Sequence, residues 1–159
     1  MPKFDHAVVE FLSTLLYARE QTHIFHWQNT GPGSFARHEA LGEFYEQRLQ
    51  LTERYDRGGF FCYHIAEHHF TPLGLASSPS TFLSAVAQRT RRLHFGPLVY
   101  TLPVHSILNL IEEVCMLDQM SGGRLELGVG KGISPIETGY FGVDAEKRQL
   151  IYLEALEVL

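Results

Sequence analysis

The sequence predicts an α/β fold of parallel strands with a helical hairpin in front. Three observations predict it. From residue 60 onward, short apolar runs alternate with segments of helical period. The connections between them are short, which implies parallel strands joined by right-handed crossovers. Composition also changes near residue 50: residues 1–50 hold four of the nine histidines but only three of the fourteen glycines, and the alternation begins where the glycines do.

Taken in order, residues 8–29 repeat apolar side chains at helical spacing: Val8, Phe11, Leu12, Leu15, Leu16, Ile24 and Trp27. Residues 29–34, Asn-Thr-Gly-Pro-Gly-Ser, break that helix. A second helix starts near Ser34 and runs toward Tyr55, with Phe35, Leu41, Phe44, Tyr45, Leu49 and Leu51 on its apolar faces, and Gly58-Gly59 ends it. Residues 60–66 form a short apolar strand. Residues 79–90 form a helix capped near Ser78 or Ser80. Residues 93–102 form a strand interrupted by Pro97 and closed by Pro103. Residues 105–120 form a long helix with Ile107, Leu110, Ile111, Val114, Cys115 and Leu117 buried, stopped by Ser121-Gly122-Gly123. Residues 124–128 are the next strand, leading into Gly128-Val129-Gly130-Lys131-Gly132, and a final helix spans 144–159. Three βα units are thus visible, without internal repeats.

Composition excludes several functions. A net charge of −5 and a pI near 6.0 leave no basic face for nucleic acid. Arg89, Arg91 and Arg92 form the one basic cluster, read as a solvated helix end. No apolar run is long enough to span a bilayer, and the N-terminus lacks a leader pattern, so a cytoplasmic location is expected. Cys62 and Cys115 lie far apart in apolar runs and are read as buried free thiols.

The chemistry concentrates at Ala66-Glu67-His68-His69-Phe70-Thr71-Pro72-Leu73-Gly74, where a strand should end. In βα architectures that edge builds the site. An imidazole there suits proton transfer near neutrality. Taken alone, adjacent histidines are read first as hydrogen-bonding within a loop. His64, inside the strand, is expected as a core or lumen histidine. A zinc site from His64, Glu67, His68 and His69 is disfavoured, because neighbouring strand residues face opposite ways. Asp118 and Arg124 flank a turn and are expected to form a salt link or cap.

Five blocks carry a family resemblance: Tyr55-Asp56-Arg57-Gly58-Gly59-Phe60, Ala66-Glu67-His68-His69-Phe70, Gly96-Pro97-Leu98-Val99, residues 117–124 (Leu-Asp-Gln-Met-Ser-Gly-Gly-Arg), and Gly128-Val129-Gly130-Lys131-Gly132. With Tyr140-Phe141-Gly142-Val143-Asp144, they make residues 48–159 resemble the bacterial luciferase-like flavin-dependent monooxygenases. The resemblance implies a (β/α)8 TIM barrel, of which this chain has a part, since a full barrel needs ~250 residues. It also implies reduced flavin mononucleotide (FMN) or a deazaflavin as cofactor, a small-molecule substrate, and molecular oxygen. His68 matches the family's active-site histidine, and Glu67 is expected to orient it. The Leu98–Val99 bond matches a non-proline cis peptide that supports the flavin ring. Lys131, where the family often has arginine, and Gly130 match the phosphate contact.

Residues 5–47 are similar to the first two helices of the ferritin-like Dps proteins, through His23-Ile24-Phe25-His26-Trp27-Gln28, Gly31-Pro32, Phe35 and His38-Glu39-Ala40-Leu41. That resemblance implies an iron site, here His26, His38, Glu46 and Glu53, although Gly42 and Arg57 depart from the pattern. The expected organisation is therefore a helical hairpin over 1–50 and a partial barrel over 51–159. The leading function is a flavin-dependent oxidoreductase, incomplete as this chain; the alternatives are an iron-binding or oligomerising helical module and an inactive fragment. Open strand edges predict a homo-oligomer, or pairing with a missing barrel half.

Overall fold

The structure, a computed structural model, describes residues 34–70 and 77–159, with side chains from residue 42 onward. Helix α1 (Ser34–Gly58) runs unbroken across residue 50. The first predicted helix, with His26, and the side chain of His38 lie outside the described residues.

Strand β1 (Cys62–Ile65) pairs in parallel with β2 (His94–Pro97), Cys62 opposite His94 and Ile65 opposite Pro97. Between them lies α2 (Pro79–Arg89), whose proline occupies the first turn, where a missing N–H costs nothing. Ser78 is its N-cap residue by position but makes no side-chain cap bond. After β2 the chain bends through Leu98–Val99 and resumes as β3 (Tyr100–Thr101), followed by a 3₁₀ turn (Leu102–Val104) and α3 (Ile107–Ser121). Gly122 closes α3 in the left-handed conformation (φ 71°), which only glycine adopts freely. Strand β4 (Val129–Gly130) pairs in parallel with β3. Two further helices, α4 (Pro135–Tyr140) and α5 (Arg148–Val158), complete the described fold.

Two apolar clusters hold these elements. Phe82, Leu83, Val86 and Ala87 of α2 pack with Phe95 of β2 and Leu117 of α3, and Tyr45 and Leu49 of α1 close over them. Tyr100 and Leu102 pack with Leu110 of α3 and Ala155 of α5. The mixed α/β arrangement and the strand–helix order are as the sequence predicts. Among the described residues the strands form two two-stranded parallel sheets.

One polar system ties the rim where the strands begin. The Asp56 carboxylate, in the last turns of α1, accepts from the backbone N–H of Arg92 and Leu93 (2.7 Å each) and of Arg91 (3.1 Å). Partial burial opposes its ionisation, yet these three donors hold the carboxyl below its ordinary range. On the same rim Arg124 donates to Ser121 O, Leu93 O, Ala87 O and Thr90 Oγ1, each at 2.8 Å, with its guanidinium over the Phe95 ring.

Several expectations are corrected. The strand expected over 124–128 is reduced to a bridge between Phe95 and Leu125, and the paired strand begins at Val129. The bend at Leu98–Val99 forces this, because the neighbouring chain must follow it from β2 to β3. Of the salt link or cap expected of Asp118 and Arg124, the cap is found and the ion pair is not: Asp118 contributes its carbonyl to the turn closing α3, and Arg124 donates to carbonyls at the helix ends. Cys115 is exposed on the outer side of α3, and Cys62 is half-buried; both are free thiols. His64 is exposed rather than buried, beside Cys62 Sγ at 3.5 Å. The last helix starts at Arg148, after turns that occupy residues 144–147.

Candidate active site

The ends of β1, β3 and β4 open onto one cavity of about 330 Å³. That volume lies within the ~300–1,000 Å³ range of small-molecule sites. Its walls include Glu67, His68 and His69 after β1, Leu98 and Val99 at the bend, Gly130, Lys131 and Gly132 after β4, and Glu137 of α4. The Leu98–Val99 peptide is cis, as expected for that bond. It is held by Leu98 N–H donating to Ile65 O at 2.8 Å, and the Leu98 side chain is exposed.

Two histidine–carboxylate systems stand in the wall. His68 Nδ1 lies 3.2 Å from Glu137 Oε1, while Glu137 Oε2 accepts from the His69 backbone N–H at 3.1 Å. A carboxylate can only accept, so this contact puts the proton on Nδ1 of His68 and leaves Nε2 as its second functional nitrogen. The other system centres on Glu67, which is 5% exposed. Its Oε1 faces His105 Nε2 at 2.8 Å and His69 Nε2 at 3.1 Å, and its Oε2 accepts from the Thr101 backbone N–H. Burial alone would raise this carboxyl, but the hydrogen bonds from His105 and His69 outweigh it and bring it down to about 2. Glu67 is therefore ionised at neutral pH, and both histidines must carry a proton on Nε2.

The expected pairing of Glu67 with His68 is thus corrected. Adjacent residues leaving a strand diverge, so Glu67 turns inward to β3 while His68 turns to α4. Aromatic packing fixes the same loop: His69 meets Phe141 edge-on at 4.7 Å, and Phe70, at a φ of 56°, packs on Tyr140 at 5.2 Å.

Lys131 is exposed at the cavity mouth, with Nζ 3.0 Å from Gln149 Oε1 of α5. Gly130 allows the close approach of β4 to the bend: a Cβ there would lie 2.6 Å from Val99 Cγ2. A flat apolar shelf at Leu98–Val99, a cation at the mouth and a glycine-lined edge fit a planar ring carrying an anionic tail.

Glu137 and His105 were not singled out from the sequence. Ser134-Pro135-Ile136-Glu137 has the spacing of a capping box, and Ser134 Oγ does accept from Glu137 N–H at 3.2 Å. That pattern could have signalled the helix, though not where the carboxylate would point. His105 follows β3 closely, and its place after a strand was the available signal.

Of the residues in the iron-site alternative, Glu46 and Glu53 are described. Both meet Arg89: Glu46 as a two-pronged pair at 2.7 Å, Glu53 at 3.5 Å. Among the described residues no group of three or more histidine, cysteine or acidic side chains is placed to hold a metal ion. Nor is any helix among them long and apolar enough to cross a membrane.

Comparison with known proteins decides the family. The family described as luciferase-like monooxygenase matches residues 22–159. The chain belongs to that family. Protein y4wF of Sinorhizobium fredii, described as uncharacterized, is 54% identical over 120 residues, covering 76% of this chain and 35% of its own length. The crystal structure of the monooxygenase RslO1 from Streptomyces bottropensis is similar with a TM-score of 0.71 at 32% identity, over 73% of this chain and 36% of that one. The oxygenating constituent of 3,6-diketocamphane monooxygenase from Pseudomonas putida, solved in complex with FMN, shares the fold with a TM-score of 0.65 at 21% identity, over 72% of this chain and 32% of that one. The chain spans about a third of the length of the curated relatives it matches.

Proposed function

We propose that this luciferase-like chain forms part of a flavin-dependent monooxygenase, and that its cavity takes reduced FMN, or a deazaflavin, together with a small organic substrate. The observation that carries the reading is the meeting of the cis Leu98–Val99 shelf, the His68–Glu137 pair and Lys131 around one cavity. On this reading residues 51–159 are a partial (β/α)8 barrel and residues 1–50 a helical hairpin joined to it through α1, whose Tyr45 and Leu49 pack on the barrel side. The barrel is completed by further chain or by a second copy.

The bound flavin would supply the electrons that reduce molecular oxygen. The chain's own residues do the rest. Leu98 and Val99 present an apolar face to a ring and exclude water from it. Lys131, steadied by Gln149, offers a positive charge to a phosphate, though without arginine's two-pronged geometry. His68, anchored through Nδ1, holds or accepts a proton at Nε2 beside the ring. Glu67 keeps a negative charge in the wall and fixes His69.

Quenching of FMN fluorescence by the purified chain tests the reading. Saturable quenching is expected, with Lys131→Ala weakening FMN about tenfold, the equivalent of 1.4 kcal/mol. Riboflavin, which lacks the phosphate, should be indifferent to that change. Absence of quenching up to high micromolar protein would overturn the proposal.

A further inference from the structure

Glu67 is one of two buried carboxylates of the wall, and its shortest side-chain contact is not to a neighbour in sequence but to His105, 38 residues away. We propose that His105 is a positioning residue of the candidate active site: it holds Glu67 in the rotamer from which the same oxygen also fixes His69.

The geometry is built for that task. His105 sits at the end of the 3₁₀ turn, where its backbone N–H donates to Leu102 O at 3.1 Å. Its ring meets the fully buried Tyr100 ring edge-on at 5.5 Å. Tyr100 is itself pinned, its hydroxyl 2.7 Å from Ser80 Oγ, which donates to Glu113 Oε2 at 2.6 Å. The imidazole is therefore set by backbone and packing before it reaches Glu67. A carboxylate with both oxygens engaged has one allowed orientation, and here that orientation gives His69 its partner. Removing His105 takes away the donor that most opposes the effect of burial, and burial alone favours the neutral acid.

The charged and titratable groups around Glu67 come from every element that packs on it. His69 meets it from the β1 loop, His105 from the 3₁₀ turn and Tyr100 stands near it from β3, while His68, Glu137 of α4 and Lys131 beyond β4 line the same cavity. Of these, His105 and His69 bond the carboxylate through their side chains. His69 lies on the same loop as Glu67, so His105 is the side chain that ties the carboxylate to a separate element, alongside the Thr101 backbone N–H of β3.

The assignment rests on the proposed function for its place in turnover, but its test reads the carboxyl directly and needs no flavin. The two can therefore fail separately. The test is carbon-13 NMR of Glu67 in chain labelled at glutamate carboxyls, titrated from pH 3 to pH 8, with Glu67→Gln assigning the signal. The expected result is an unprotonated Glu67 across this range in the wild type. In His105→Ala its midpoint should rise by at least about one pH unit, into the titrated range. In His105→Gln, whose amide N–H reaches the position of the imidazole Nε2–H, the wild-type curve should return. The His69 ring proton signals should shift in His105→Ala and stay in place in H105Q. An unchanged Glu67 curve in H105A would overturn the proposal. So would an equal shift in both variants, or loss of the folded spectrum in H105Q, since the retained donor should suffice.

Discussion

Replacing Glu67 by glutamine tests the energetics of the cavity wall. The native carboxyl sits at about 2 against an ordinary value of 4.5. At 1.36 kcal/mol per pH unit, that difference makes the ionised carboxylate worth about 3 kcal/mol to the folded state. The sign follows from the direction. A group whose folded value lies below its unfolded one contributes in full above the unfolded value. It loses that contribution as pH falls through the folded value. The stabilisation is thus complete above pH 4.5 and drains away toward pH 2. Glutamine keeps the shape but has no such dependence, and its amide group would face the Nε2–H groups of His69 and His105. Urea unfolding of wild type and Glu67→Gln, at matched salt from pH 5 to pH 2, gives the gap between the two proteins. That gap should narrow by about 3 kcal/mol over the interval. A gap constant across the window would refute the account of Glu67 as an ionised, hydrogen-bonded carboxylate.

Two further outcomes follow from the same physics. Arg124→Ala removes four 2.8 Å hydrogen bonds and a ring contact; chemical denaturation should show a loss of about 3–5 kcal/mol, because the buried acceptors lose a charged partner. Gly96→Ala would place a Cβ 1.7 Å from the Glu126 carbonyl oxygen, so β2 and the 124–126 segment must separate, and the variant should fail to give a cooperative unfolding transition.

Most elements were legible in the sequence because they are set locally. The helices follow their apolar period, and Gly59 and Gly122 stop two of them in the left-handed conformation. Arg124 as a structural residue was legible too, since it follows a glycine turn at the start of a strand. Its partners were not: they are carbonyls on α2 and before β2, more than thirty residues away in the case of Leu93 and Ala87. The same limit applies at the site. His68 at a strand end was readable, but Glu137 joins it from 69 positions along the chain, and no periodicity encodes that meeting. The cis bond at Leu98–Val99 was reachable only through family resemblance. The strand over 124–128 was misread because the pairing passes from β1–β2 to β3–β4 as the chain bends, and only residues 129 and 130 pair as a strand. The thiol of Cys115 was misplaced for a simpler reason: an apolar run on a helix turns through all directions, and position 115 faces outward.

The Asp56 carboxylate and the Arg124 guanidinium fasten one end of the strands, and every cavity residue lies at the other. Anchorage and chemistry thus occupy opposite poles, as in barrels generally. Loops at the cavity pole can diversify to accept new substrates while the fastening pole keeps the scaffold in register. Directed evolution of this chain should accordingly tolerate a library at the exposed Ile133 far better than at residues 90–93.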